Sequence, residues 1–159
     1  MDLISVIIPT YNRSEFLVES ITSIWKQIYR PIEVLVIDDG STDDTKNQVN
    51  KLKEKFENEN FTIIYKYQKN KGSNSARNLG LKIASGNWIQ FLDSDDLLEK
   101  NKFKIQINAL LETNSDIAIC NFKILMTSGE NLFIENNGDI LRRLSFGHSI
   151  MIATPLFDK

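Results

Sequence analysis

Apolar and polar positions along this chain alternate in blocks. Leu3-Ile4-Ser5-Val6-Ile7-Ile8 is a short apolar run halted by Pro9, which cannot donate to a sheet ladder and keeps the residue before it extended. From Ser14 the pattern changes period: Leu17, Ile21, Ile24 and Ile28 recur at helical spacing, with Ser14 as a cap and Pro31 beyond the far end. A second run, Glu33-Val34-Leu35-Val36-Ile37, ends in the acidic loop Asp38 to Asp44. Thr45, Val49, Leu52 and Phe56 then mark one face of another helix. The cycle repeats with Phe61 to Tyr67, a polar loop with a turn at Gly72, and a helix starting near Ser75 that Gly86 closes in a left-handed conformation.

The fourth run, Trp88-Ile89-Gln90-Phe91-Leu92, ends abruptly in Asp93-Ser94-Asp95-Asp96, and Phe103, Ile107, Leu110 and Leu111 mark the helix after it. Beyond that, a strand is expected from Ile117 to Asn121, running on toward Met126. A short helix is expected over 139–146 and a last strand at Ile150-Met151-Ile152. Four strand-helix units in series predict an α/β fold with a mostly parallel central sheet and helices on both faces. In such sheets ligands bind beyond the carboxyl ends of the strands. If the strand order opens 3-2-1-4, the loops after strands one, two and four lie side by side. Asp38, Asp39, Asp93 and Asp95 would then share one crevice with Tyr11 and Asn12.

Three carboxylates within four residues repel one another unless water, helix-terminus amides or a cation offsets them. Two readings compete on that stretch alone. Asp95 or Asp96 could cap the following helix, since Asp is a favoured cap and first-turn residue. Alternatively the acids could hold a hard divalent ion such as Mg²⁺ or Mn²⁺, which takes carboxylate oxygen and completes its shell with water and phosphates. Convergence of acids from separate strand ends favours the second.

Composition narrows the partners. The chain has 159 residues, 42% of them hydrophobic and 25% charged, which is the range of one domain with a real core. A formal net charge of -2 supplies no basic footprint for nucleic acid. Cys120 is the only cysteine, which excludes a disulfide framework and a cysteine zinc site. No apolar run approaches the roughly eighteen residues of a membrane span, so a cytoplasmic protein is expected, with association at a membrane surface left open. No G-x-x-x-x-G-K phosphate loop is present. Trp25 and Trp88 read as core residues, and His148 as a structural histidine without an identifiable acid partner.

Four blocks, taken together, resemble the successive signatures of family 2 glycosyltransferases. They are Ser5 to Arg13, Val36 to Asp43, Gly72 with Ala76-Arg77-Asn78-Leu79-Gly80, and Phe91 to Asp96, and they occur in the family's order. The resemblance implies a GT-A fold and a sugar-nucleotide donor, with a UDP-sugar the first expectation. It places Pro9, Tyr11 and Asp39 at the nucleobase and Arg77 against the donor. Asp93 falls near the ribose as the first acid of a D-x-D element, and Asp95 on the metal. It further implies transfer with inversion to a carbohydrate or lipid-linked hydroxyl, assisted by a general base.

None of Glu130, Glu135, Asp139 or Asp158 lies in a recognisable version of the family's base element. The base is therefore expected beyond Lys159, and the 159 residues as one N-terminal, donor-binding domain of a longer enzyme. Two alternatives compete with this reading. One is sugar-nucleotide binding without turnover. The other is a phosphohydrolase of the haloacid dehalogenase type, whose nucleophile loop Asp38-Asp39-Gly40-Ser41 only partly matches.

Overall fold

The computed structural model describes residues 2–125, 131–134 and 156–158. Its elements are β1 (Ile4–Thr10), α1 (Ser14–Trp25), β2 (Ile32–Asp38), α2 (Thr45–Phe56), β3 (Phe61–Tyr67), α3 (Ser73–Ile83), β4 (Trp88–Phe91) and α4 (Lys102–Thr113), followed by the short strands β5 (Ile117–Ala118), β6 (Phe122–Leu125), β7 (Asn131–Ile134) and β8 (Leu156–Asp158). The main sheet has the order β3-β2-β1-β4-β8-β5. β1 pairs in parallel with β2 and β4, and β2 with β3, whereas β8 runs antiparallel to β4 and β5. The parallel pairing expected from the alternation of runs is observed for β1 to β4, and their order is the doubly wound opening 3-2-1-4.

Strand alternation decides which side each helix covers, because successive side chains point to opposite faces. Ile4, Val6, Ile8, Val34 and Val36 join Leu17, Ile21 and Ile24 of α1, Val49, Leu52 and Phe56 of α2, and Phe103, Ile107 and Leu110 of α4 in one core. Ile7, Leu35, Ile37 and Ile89 pack with Ala76 of α3 in the other. Both β1 and β2 are buried along their full length. Near-continuous apolar strands are what a sheet covered on both faces requires.

The α3 side depends on a small residue. A Cβ on Gly80 would come within 2.3 Å of the Ile7 Cγ2 methyl, so α3 lies directly against β1. Gly80→Ala is expected to push α3 outward and cost roughly 1–3 kcal/mol, the range for overpacking a filled core. Urea denaturation should show a lower midpoint with an unchanged slope.

Several local expectations are corrected. Gly86 does not close α3 in a left-handed conformation. The helix ends at Ala84 in an extended conformation, and Gly86 is absent from the positive-φ residues. Close approach explains the glycine instead: its Cβ would lie 2.6 Å from Ser5 Oγ and 2.7 Å from the Leu3 carbonyl. The Gly86 N–H donates to Ser5 Oγ at 2.8 Å, beside the buried Glu33 carboxylate that also accepts from Ser85. α1 stops at Trp25, leaving Ile28 exposed, and α3 begins at Ser73. Ser14 is the first helical residue rather than the cap; its N–H is met by Asp43 from another loop.

The expected single strand from Ile117 is two, β5 in the main sheet and β6 in a hairpin with β7. Thr154-Pro155 does not end the pattern, since β8 follows it and inserts between β4 and β5. The helix expected at 139–146, the strand at 150–152 and His148 lie outside the described residues, as do the side chains of Glu130, Glu135, Asp139 and Asp158.

Candidate functional site

The order β3-β2-β1-β4 sets the carboxyl ends of β2, β1 and β4 next to one another. Their loops are stitched together by side chains. Asn12, held at φ 50°, accepts the Thr42 N–H at 2.8 Å through Oδ1, and its own N–H donates to Ser41 Oγ at 2.9 Å. Asn tolerates this left-handed conformation better than most residues, which suits a tight turn that must also present its amide. Asp43 accepts the Ser14 N–H at 3.1 Å and the Thr45 N–H at 3.1 Å. Burial acts to raise the Asp43 pKa, but hydrogen bonds from Thr45 and Ser14 outweigh it and hold the carboxyl below its usual range.

Asp39 is buried, and the Asp39 N–H donates to the Thr10 carbonyl at 2.9 Å. Its carboxylate accepts from Gln68 Nε2 at 2.6 Å, the Lys71 N–H at 2.8 Å and the Gly72 N–H at 2.8 Å. Burial alone would raise its pKa; these three donors reverse the sign and lower it. Asp39 thereby fixes the turn at Gly72, whose φ of 88° favours glycine, and that turn launches α3. One turn into α3, Arg77 reaches across to Asp93 Oδ1 at 2.6 Å and also donates to Ser73 Oγ and Asn74 Oδ1, both at 3.2 Å. Its Nε is buried and unpartnered.

The loop after β4 completes the rim. Asp93 and Asp95 are each a little under half exposed, and each faces a guanidinium: Arg77 for Asp93, Arg13 for Asp95. Asp96 has its pKa pushed up to about 6, first by burial and then by the charges of Asp93 and Asp95. The capping reading of these acids fails, because α4 does not begin until Lys102 and its cap is Asn101. Tyr11 is half exposed at the end of β1, with Pro9 buried just before it.

One expected member is elsewhere. Asp38 does not share this crevice, because adjacent residues of a strand point oppositely. Asp38 lies on the α2 face, where it accepts from the Tyr65 hydroxyl at 2.5 Å and the Ser41 N–H at 2.7 Å. Burial and the Asp38 carboxylate hold the Tyr65 hydroxyl well above its ordinary pKa. A carboxylate 1% exposed and so engaged is a poor nucleophile, which speaks against the phosphohydrolase reading.

Two residues given no role by the sequence now have one. Arg13 neutralises Asp95, and a cation flanking an acidic rim was the available signal. Lys102 is buried behind the loop and donates to Gln90 Oε1 and to Gln106 Oε1, the latter at 2.6 Å. Burial brings its pKa down to about 8, with Cys120 acting weakly the other way. No sequence pattern distinguishes Lys102 from the solvated lysines around it.

A doubly wound sheet with polar loops gathered at its switch point is the α/β architecture whose ligand sites lie beyond the strand ends, and here it is of the GT-A type. The sequence matches the family Glycosyl transferase family 2 over residues 5–145, and the chain belongs to that family. An uncharacterized glycosyltransferase of Rickettsia bellii is 40% identical over 135 residues, covering 85% of this chain and 19% of its own length. The Escherichia coli protein WfgD, a UDP-Glc:alpha-D-GlcNAc-diphosphoundecaprenol beta-1,3-glucosyltransferase, is 38% identical over 123 residues, covering 77% of this chain and 47% of its own.

Staphylococcus aureus TarS 1-349 superposes with a TM-score of 0.74 at 26% identity, covering 99% of this chain and 47% of that one. Its complex with UDP gives 0.67 at 35% identity over 76% of this chain and 35% of that one. The chain thus spans about a fifth of the Rickettsia relative and under half of WfgD. Among the described residues no helix is long and apolar enough to cross a membrane.

Proposed function

We propose that the chain is the donor-binding portion of a metal-dependent, inverting glycosyltransferase that moves a sugar from a nucleoside diphosphate sugar to a hydroxyl acceptor. The observation that carries this reading is that Tyr11, Asp39, Asp93 and Asp95 follow three adjacent strands, with Arg77 reaching from α3 to Asp93. UDP bound to TarS, which is 35% identical over the matched region, supports a uridine nucleotide. The substrates in WfgD's name support a lipid-linked or carbohydrate acceptor.

Each residue has a role its chemistry allows. Pro9 shapes the turn, Tyr11 offers a ring face to the base, and Asp39 retains a free lone pair to accept a base N–H. Arg77 is already aimed across the cleft at Asp93, so it is positioned to share its guanidinium between that carboxylate and the donor.

A divalent cation fits the donor set at the rim. Carboxylate oxygens are hard ligands, Asp95 is open to solvent, and one or two carboxylates suffice when phosphates and water supply the remaining positions. Among the described residues no group of three metal-ligating side chains is assembled. When bound, Mn²⁺ or Mg²⁺ would offset the charge that develops on the departing diphosphate. Asp95 would hold it, and Arg13, paired with Asp95, would add positive charge beside it for the phosphates.

Calorimetry with UDP, GDP and dTDP, each with and without Mn²⁺, tests the proposal. UDP is expected to bind only with the ion, and binding of none of the three would refute it. Sugar transfer to a hydroxyl acceptor by the chain alone would place the general base within residues 1–159, against the expectation that it lies beyond them.

A further inference from the structure

A cavity of about 400 Å³ opens on the α2 face of the sheet, against the loop whose Ser41 and Thr42 are tied to Asn12. It is lined by Asp38, Tyr65 and Tyr67 from β2 and β3, by the loop through Asp43, and by Lys46 and Asn47 from the first turn of α2. Alternation turns its Asp38 away from the rim's Asp39. Asp38 lies on the face of Val34 and Val36, whereas Asp39 lies with Leu35 and Ile37 against α3.

We propose that this cavity is a saccharide subsite that takes one neutral pyranose unit, independent of the donor cleft. Four features point to that chemistry. Tyr65 and Tyr67 are two residues apart on β3, an outer strand of the sheet, so their rings lie side by side on one face. The Tyr65 hydroxyl is locked by its bond to Asp38, which immobilises the ring, while Tyr67 remains 57% exposed at the mouth. Two adjacent aromatic rings present an apolar platform with polar tips, matching the C–H face of a sugar and its hydroxyls.

Around the platform the polar groups are mixed. The Lys46 ammonium can donate, the Asn47 carbonyl oxygen can accept while its amide N–H₂ donates to Asp44 Oδ1 at 2.7 Å, and the Asp43 carboxylate, engaged by Ser14 and Thr45, adds charge to the lining. Such a combination can bond vicinal hydroxyls, which both donate and accept. Charge argues against the other small ligands: Asp38 and Asp43 outnumber Lys46 and disfavour a phosphate, and Lys46 disfavours a free metal ion. The volume falls within the usual range for small-molecule sites.

Amide chemical shifts of the ¹⁵N-labelled protein, titrated with methyl glucoside, methyl N-acetylglucosaminide, inorganic phosphate and UDP, test the assignment. At least one glycoside is expected to shift residues 41–47 and 65–67 and to leave Lys71 and Gly72 unmoved. Tyr67→Ala should weaken that effect by about tenfold without changing the melting temperature, because the ring is largely in solvent. Phosphate producing the same shifts would make this an anion site, and glycoside shifts centred on Gly72 would place the sugar in the donor cleft. Either result, or no response to either glycoside, overturns the proposal. UDP reports separately on the donor rim, so failure there leaves this test readable.

Discussion

Asp95→Ala is expected to abolish the Mn²⁺-dependent part of UDP binding while the protein stays folded. Asp95 is a little under half exposed and its one described partner is Arg13, itself about half exposed. An exposed ion pair of this kind contributes at most about 1 kcal/mol, so the melting temperature should move by no more than a few degrees. Metal affinity responds far more. Losing a group that merely orients a metal ligand costs about 10–100-fold, and losing the carboxylate that holds the ion should cost at least that. Asp95→Asn keeps the shape but gives up the charge and should fail nearly as badly. Calorimetry at fixed Mn²⁺ reads both variants; unchanged UDP affinity in either would remove Asp95 from the site.

Asp39→Ala should damage binding and fold together. The substitution strands the N–H groups of Lys71 and Gly72 and the Gln68 amide, all now satisfied by one buried carboxylate. Hydrogen bonds to a charged group are worth about 1.5–3 kcal/mol each, but these donors lie near the surface and regain water, so a net loss of roughly 2–4 kcal/mol is expected. For a chain of this size that lowers the melting temperature by about 5–15 °C. Because the Gly72 turn launches α3, Arg77 loses its position as well, and UDP affinity should fall even at temperatures where the variant is folded.

The sign of the pH dependence follows from the lowered Asp39 pKa. Stability contributed by a carboxylate whose folded pKa is depressed is fully present above its unfolded value and is lost as pH falls through the folded one. The gap in stability between wild type and Asp39→Asn should therefore be widest near neutrality and narrow once the pH drops below the ordinary carboxylate range. Paired urea titrations across acid pH would show it.

Most of the sheet was readable because its strands are apolar on both faces and its helices are apolar on one, and those two periods differ. The order 3-2-1-4 is the usual doubly wound opening rather than something the residues dictate, and on it depends the adjacency of the loops carrying Asp39, Asp93 and Asp95. What could not be read was direction at the ends of elements. Asp38 and Asp39 look equivalent as letters, yet one residue of phase sends them to opposite faces, one to Tyr65 and the other to the Gly72 turn. Gly86 looked like a helix stop because a glycine after a helix usually is one; its real constraint, the backbone of Leu3 and the hydroxyl of Ser5, comes from a strand more than eighty residues away. β8 was missed because a three-residue strand after proline carries too little periodicity to register, and its antiparallel place between β4 and β5 is set by tertiary pairing.

Paramagnetic broadening of backbone amides by Mn²⁺ in the presence of UDP tests most directly whether acids from separate strand ends grip one nucleotide-bearing ion. Signals from residues 93–96 and from 11–13 should vanish together when both UDP and Mn²⁺ are present, and far less with Mn²⁺ alone. Broadening confined to one of those loops, or UDP binding with equal affinity in excess chelator, would contradict it.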